Sequence, residues 1–264
     1  MTGCLMAGCT RRSTMNADED KMESRDRASY VYAHRVIQLP KKTEALLDKQ
    51  QGQLDQALGK INFQSGKPGF IQVDHNKSSL NIKNWGANEV IYHPLDKQGR
   101  ASGITTAFLC KKNAAPIDVA HAKVNPTGWQ NDLGQQGVIC KGQVISRGIS
   151  KGISTNGTYL PSGKKGYLDK RNVFTITNFT QKEKQKYDDQ VKNALNANAK
   201  VIYQVMPVFA NNDKMPKGIW LQAIGSNGLN FNVYLFNVQP GYNFNYATGQ
   251  ATKDPGMQVG QVNK

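Results

Sequence analysis

Three segments of the carboxy-terminal half are runs rich in β-branched and aromatic residues, Val201–Met206, Ile219–Ile224 and Phe231–Val238, whose side chains change face at a period of two in an extended chain. Each segment predicts a strand. Shorter apolar runs at 71–73, 89–92, 103–109, 137–145 and 172–176 predict further strands. Turn signals at Pro94 and at Lys97-Gln98-Gly99 separate some of them. The period changes over 181–198, where Tyr187, Val191, Ala194 and Leu195 fall on one side of a predicted helix. A weaker helical pattern spans Pro40–Lys60, with Leu46, Leu47, Leu54, Leu58 and Ile61 spaced for one face and Gly52 interrupting it. The sum is a mixed α/β chain of the α+β kind, built on a largely antiparallel central sheet, without internal repeats.

The amino-terminal part reads differently. Residues 11–28 carry mixed charge with almost no apolar content, the composition of a tether. Four stretches follow: a signal remnant or tether at 1–28, a helical segment at 29–65, the main domain at 66–250 and a polar tail at 251–264. Leu5-Met6-Ala7-Gly8-Cys9 comes close to a bacterial lipoprotein cleavage box, which makes Cys9 a lipidation candidate and Cys4 a poorer one. The charged and apolar regions of a full secretion signal do not precede it. A surface lipoprotein and a chance apolar start both remain open. No apolar run approaches the roughly 18 residues of a membrane-spanning helix.

Charge narrows the partners. The chain has 34 Lys and Arg against 19 Asp and Glu, for a net charge of +15. Residues 135–264 hold 16 basic and 6 acidic side chains, so the excess is concentrated there. Such an imbalance points to a polyanion, whether DNA, RNA or an acidic polysaccharide, and says nothing of catalysis. Cys110 and Cys140 fall on different predicted strands, and either a disulfide or two buried thiols suits them. No Cys/His spacing suggests zinc.

A set of short motifs shares its order and spacing with a known family. They are Tyr92, Leu95, Asp96, Gly99 and Arg100, then Asn125-Pro126-Thr127-Gly128-Trp129, then Gln143 to Ile149. Further on come Tyr187-Asp188-Asp189-Gln190-Val191, then Tyr203, Val205 and Pro207, then Asn237 to Gly241 and Tyr246 to Gly249. Over about Asn84 to Gly249 the chain resembles the DNA/RNA non-specific endonucleases of Gram-positive bacteria, the DNA-entry nuclease and streptodornase group with a ββα-metal finger. The resemblance implies that finger, and a site in which an Asp-Arg-Gly-His motif supplies a general-base His. It also implies an Asn at the head of the next helix that holds Mg²⁺, and a carboxylate further along that helix.

Measured against that pattern, the site is altered. The motif reads Ser146-Arg147-Gly148-Ile149, so Arg147 is kept, Ser146 stands at the Asp position and Ile149 at the His position. Gln181 stands at the metal Asn position, unless a slip of one position promotes Asn178. Asp188 falls where the helix carboxylate belongs. The remaining histidines, His34, His75, His93 and His121, lie outside the finger, and Lys151 is protonated at ordinary pKa and a poor base.

The expectation is a degenerate nuclease-like protein, secreted or lipid-anchored, that needs no cofactor; Mg²⁺ would enter only if some cleavage survives. Lys151, Lys164, Lys165, Lys170 and Arg171 are its candidate nucleic-acid contacts, with Lys141, Lys182, Lys184 and Lys186 nearby. The same lysines also suit a merely solvated face. Tyr159 and Tyr167 are candidates to stack on bases. Two other readings stay open: a cell-surface adhesin that binds a host or envelope protein, and an active Mg²⁺-dependent nuclease with a rearranged site.

Overall fold

The computed structural model describes residues 52–115, 124–160 and 169–260. Cys9, His34, His121, Lys164, Lys165 and Tyr167 lie outside the described residues, as do the tether and most of the first helical pattern.

Six strands form the main sheet: β1 (Phe70–Gln72), β2 (Glu89–Ile91), β3 (Thr105–Leu109), β6 (Val201–Val208), β7 (Gly218–Gly225) and β8 (Asn230–Phe236). Their order is β1-β8-β7-β6-β3-β2, with every pair antiparallel. The two-residue repeat of an extended chain sorts the side chains onto two faces, both of them buried. Val201, Tyr203, Val205, Ile219, Leu221, Ala223, Phe231, Val233 and Leu235 belong to one core cluster. Met206, Val208, Trp220, Tyr234 and Phe236 belong to another, on the opposite face.

Each face has its own cover. Residues 52–59 are helical (α1) and lay Leu54 and Leu58 on the second cluster, beside Ile61 and Phe63. The first cluster is closed by the hairpin of β4 (Ile139–Gln143) and β5 (Val173–Thr177) and by the long helix α3 (Asn178–Asn196). A short helix, α2 (Asn131–Gln135), leads into β4.

α3 begins at Asn178, earlier than the apolar period indicates. The Thr177 hydroxyl accepts the Thr180 N–H at 3.1 Å and caps the helix before its first core-facing turn. The helix ends where Asn198 turns into the left-handed region at φ 64° and donates its N–H to the Leu195 carbonyl.

Residues 251–260 differ from the expected polar tail. β9 (Tyr242–Asn245) and β10 (Gln250–Lys253) form a hairpin, and the chain then returns to residues 65–68. Gly66 N–H donates to the Gln258 carbonyl at 2.9 Å, and Gly260 N–H donates to the Lys67 carbonyl at 2.8 Å. Met257 is buried in the second cluster. The segment is polar because its backbone, more than its side chains, makes the contact.

Asp96 and Arg100 act as a clamp. Asp96 accepts the Gln98 and Arg100 backbone N–H groups, both at 2.9 Å, and Arg100 Nε at 2.6 Å. Arg100 Nη1 reaches the Asn211 and Asp213 carbonyls, and its guanidinium lies 4.6 Å from the Phe209 ring centroid. Burial alone would raise the Asp96 carboxyl, but the Arg100 and Gln98 donors hold it below the ordinary carboxylate range. A depressed carboxylate contributes stability above its unfolded pKa, and the contribution is lost as pH falls through the lower folded value. The melting temperature should therefore drop on acidification below about pH 4. Asp96→Asn should melt lower at neutral pH and show a shallower acid limb; an identical limb would remove the clamp from the acid response.

Candidate functional site

The β4–β5 hairpin and the head of α3 form a ββα unit, registered from Ile139 opposite Thr177 to Gln143 opposite Val173. Two buried asparagines lock its ends. Asn172 accepts the Ile145 N–H at 2.8 Å and donates to the Ile145 carbonyl at 3.0 Å. Asn237 accepts the Thr177 N–H at 2.9 Å and donates to the Thr175 and Pro216 carbonyls. Each replaces water for backbone groups that the strands cannot pair.

The segment after β4 carries the altered motif and is pinned from outside the hairpin. Residues Arg147–Ile149 make one 3₁₀ turn. Gln143 Oε1 accepts the Arg147 N–H at 2.9 Å, and the Gly148 carbonyl accepts the Ala115 N–H at 3.0 Å. Asn113 is fully buried, accepts the Lys151 N–H on its carbonyl and donates its amide to the Lys151 carbonyl.

Within this frame the candidate residues separate. Ile149 is 1% exposed and belongs to the main core cluster with Phe174, Ile176 and Val191. Ser146 Oγ is buried without a hydrogen bond, yet close enough to Asp188 to favour its ionised form. Arg147 is half-buried, with Nη1 inside the protein. Gln181 Oε1 is buried and unpartnered above Gly142, where an added Cβ would lie 3.3 Å from it and 2.6 Å from Ile176 Cγ2. Gly142 is what lets α3 approach β4 so closely.

Asp188 does not have the setting expected of a metal-supporting carboxylate. Lys184 Nζ donates to its two oxygens at 3.1 and 2.8 Å, and the Tyr203 hydroxyl donates at 2.9 Å. Lys184 and Asp188 are 0% and 1% exposed. Burial pushes the Asp188 carboxyl up, opposed by Lys184, Tyr203 and Ser146. Burial beside this carboxylate also pushes the Tyr203 hydroxyl well above its ordinary value. Lys184, read from the sequence as a surface cation, is instead a core ion-pair partner.

The other expected contacts divide as well. Lys151 and Lys170 are exposed, and Lys141 Nζ lies 5.1 Å from the Trp129 ring centroid. Arg171 is not free for phosphate: Nε and Nη2 grip Asp169 at 2.8 and 2.9 Å, and Nη2 also donates to the Thr155 carbonyl. Cys110 and Cys140 are free thiols rather than a disulfide. Cys110 follows β3 in the main sheet and takes the Asn88 amide, whereas Cys140 sits in β4, where burial pushes its thiol up to about 12. Two lysines missed by the sequence reading, Lys111 and Lys112, stand exposed beside Lys151 because Asn113 ties the two turns together.

The donor set does not fit a resident magnesium. Mg²⁺ takes a near-octahedral set of oxygens, usually including a carboxylate or substrate phosphate. The buried unpartnered oxygens around the finger are neutral, on Gln181 and Ser146, and the carboxylate of Asp188 is already closed by an ammonium and a phenol. Among the described residues, no three His, Cys, Asp or Glu side chains gather as a metal cluster.

No known family profile matches the sequence. Among solved structures, NucA from Streptococcus agalactiae with a magnesium ion bound superposes with a TM-score of 0.60 at 26% identity, over 77% of this chain and 96% of that one. The chain resembles the ββα-metal nucleases. NucA with no metal bound gives a TM-score of 0.59 at 24% identity, over 83% of this chain and 99% of that one. Sda1 nuclease with a bound zinc ion gives 0.50 at 17%, over 70% and 97%. The α+β architecture with its large antiparallel sheet matches these nuclease neighbours.

Proposed function

We propose that this chain is a degenerate nuclease-fold protein, placed outside the cell, that holds nucleic acid or a similar polyanion without cutting it. The observation that carries the reading is Ile149: it occupies the general-base position of the resemblance and lies 1% exposed in the core. Activating water for attack on a phosphodiester needs a proton acceptor within hydrogen-bond reach, and an isoleucine side chain has none. The described histidines do not substitute. His93 turns its Nδ1 to the Pro94 carbonyl at 2.8 Å, and His75 lies in the left-handed turn that follows β1.

Retained basic residues support binding. Lys151 and Lys170 remain exposed, and with Lys164 and Lys165 they would contact phosphates without reading bases. The Leu5–Cys9 segment supports a lipid-anchored placement.

Purified protein should leave supercoiled plasmid, linear duplex and RNA intact in Mg²⁺ or Mn²⁺, while retaining heparin and DNA with an affinity that falls steeply as salt rises. Steady nicking that survives purification to constant specific activity would overturn the loss of cleavage. Salt-independent binding would overturn the phosphate contacts.

A further inference from the structure

A row of lysines and aromatic rings runs from one end of the main sheet to the loop that joins β4 and β5. It begins at the β2 edge of the main sheet. Trp85, just before β2, donates its indole N–H to the Leu109 carbonyl at 3.1 Å, which fixes the plane of its ring. Lys200 Nζ lies 4.5 Å from the centre of that ring. One residue beyond Leu109 the chain enters the turn of Lys111 and Lys112, both exposed. Lys112 Nζ lies 5.7 Å from the Tyr159 ring centroid. Residues 157–159 run along the outer side of β2, with Val90 N–H donating to the Gly157 carbonyl at 2.8 Å and Glu89 bridged to Thr158. Lys151, held to the Lys111–Asn113 turn by the two Asn113–Lys151 hydrogen bonds, completes the row.

We infer that this row is a track for single-stranded nucleic acid, in which Trp85 and Tyr159 stack on bases while Lys200, Lys111, Lys112 and Lys151 hold the phosphates between them. The inference rests on the polyanion reading and specifies its ligand. Three features favour a single strand over a duplex or a sulfated sugar. Base stacking needs flat rings, and both rings are half-buried and anchored: Trp85 by its indole bond, Tyr159 by its bridge to Ile153 and its packing on the main core. A duplex keeps its bases stacked on one another and offers such rings nothing, and a sulfated sugar has no π face. The lysines resting on the rings are poised to move. An exposed cation–π contact is weaker than a base–aromatic stack, so an arriving nucleotide draws the ammonium to its phosphate and takes the ring face. Glu89 also lies on this edge, half-buried, and keeps the path from being uniformly cationic.

The test is fluorescence anisotropy at fixed moderate salt, with a labelled deoxythymidine oligomer of about 12 nucleotides, a duplex of equal length and labelled heparin. The parent should bind the single strand in preference to the duplex. Trp85→Ala and Tyr159→Ala should each weaken the oligomer about tenfold, leave heparin nearly unchanged, and be rescued in part by Trp85→Phe and Tyr159→Phe. Alanine variants that fold by circular dichroism yet bind the oligomer as the parent does would overturn the track, as would a parent that prefers the duplex. Heparin binding with no affinity for the oligomer would sink the track alone, whereas a parent that binds neither ligand would sink the polyanion reading as well. Photocrosslinking of the parent to an oligomer carrying 5-iodouracil, with the adducts mapped by mass spectrometry, covers variants that misfold. Adducts on Trp85 or Tyr159 support the track, and adducts confined to other aromatic residues overturn it.

Discussion

Asp188→Asn should destabilise the protein by about 3–5 kcal/mol, because it leaves the Lys184 ammonium in the core with no compensating charge. The effect is large because of burial. Exposed pairs such as Lys186–Glu183 contribute little, but Lys184 and Asp188 have no water to return to. The Tyr203 hydroxyl would keep an acceptor in the new amide, so the loss belongs to the charge and not to the phenol. Replacing both partners, Lys184→Met together with Asp188→Leu, should recover part of it, since an apolar pair removes the desolvation penalty along with the attraction but leaves the Tyr203 hydroxyl without its acceptor. Urea denaturation of the parent, single and double variants measures the effect. Equal midpoints for Asp188→Asn and the parent would show that water reaches the pair.

That pair also marks where sequence reading stops. Lys182, Lys184 and Lys186 look like a solvated run when read linearly. On a helix, residues two apart do not share a face, and Lys184 instead lines up with Asp188, Val191 and Leu195, all buried. The signal was present, in a spacing of four and then three and four, but charged residues on an apolar stripe do not register as hydrophobic periodicity. The long strands of the main sheet were legible because they are runs of β-branched and aromatic residues, and Tyr203, Leu221 and Val233 lie in the core cluster of one face. β9 and β10 were not, since Tyr242-Asn243-Phe244-Asn245 alternates over four residues only and its partner Gln250–Lys253 is polar. The free state of Cys110 and Cys140 depends on which strands pair, a property of topology that no local pattern encodes. Of the expected basic contacts, Lys151 and Lys170 are exposed, and Arg171 is claimed by Asp169, only two residues away.

Restoring the family's residues tests the placement of Ile149 and Gln181 directly. Ile149→His alone should lower stability by about 1–3 kcal/mol through a polar group buried without a partner, and should not nick plasmid. Gln181→Asn and Ser146→Asp alone should likewise be silent. Combined, Ser146→Asp, Ile149→His and Gln181→Asn should nick plasmid in Mg²⁺ at least about 10²-fold above any single variant, because an activated water and a stabilised leaving group are each useless without the other. The Ser146→Asp change would bring a second carboxylate near Asp188, so only variants with native circular dichroism and cooperative melting enter the assay. A folded, DNA-binding triple variant without Mg²⁺-dependent nicking would place the lost catalytic positions elsewhere.

The closure of residues 65–68 against residues 256–260 sets a condition on synthesis. β1 takes its place in the sheet through β8, some 160 positions along, with Phe70 opposite Leu235, and the backbone bonds of Gly66 and Lys67 await Gln258 and Gly260. Loops of that length must close before their contacts return any stability. A nascent chain that has reached the end of α3 already contains β1 but not its partner strand, and the apolar residues of β3 have no neighbouring β6 to cover them. The main sheet and the 65–68 closure can therefore be completed only after β6 to β8 and residues 256–260 have been made.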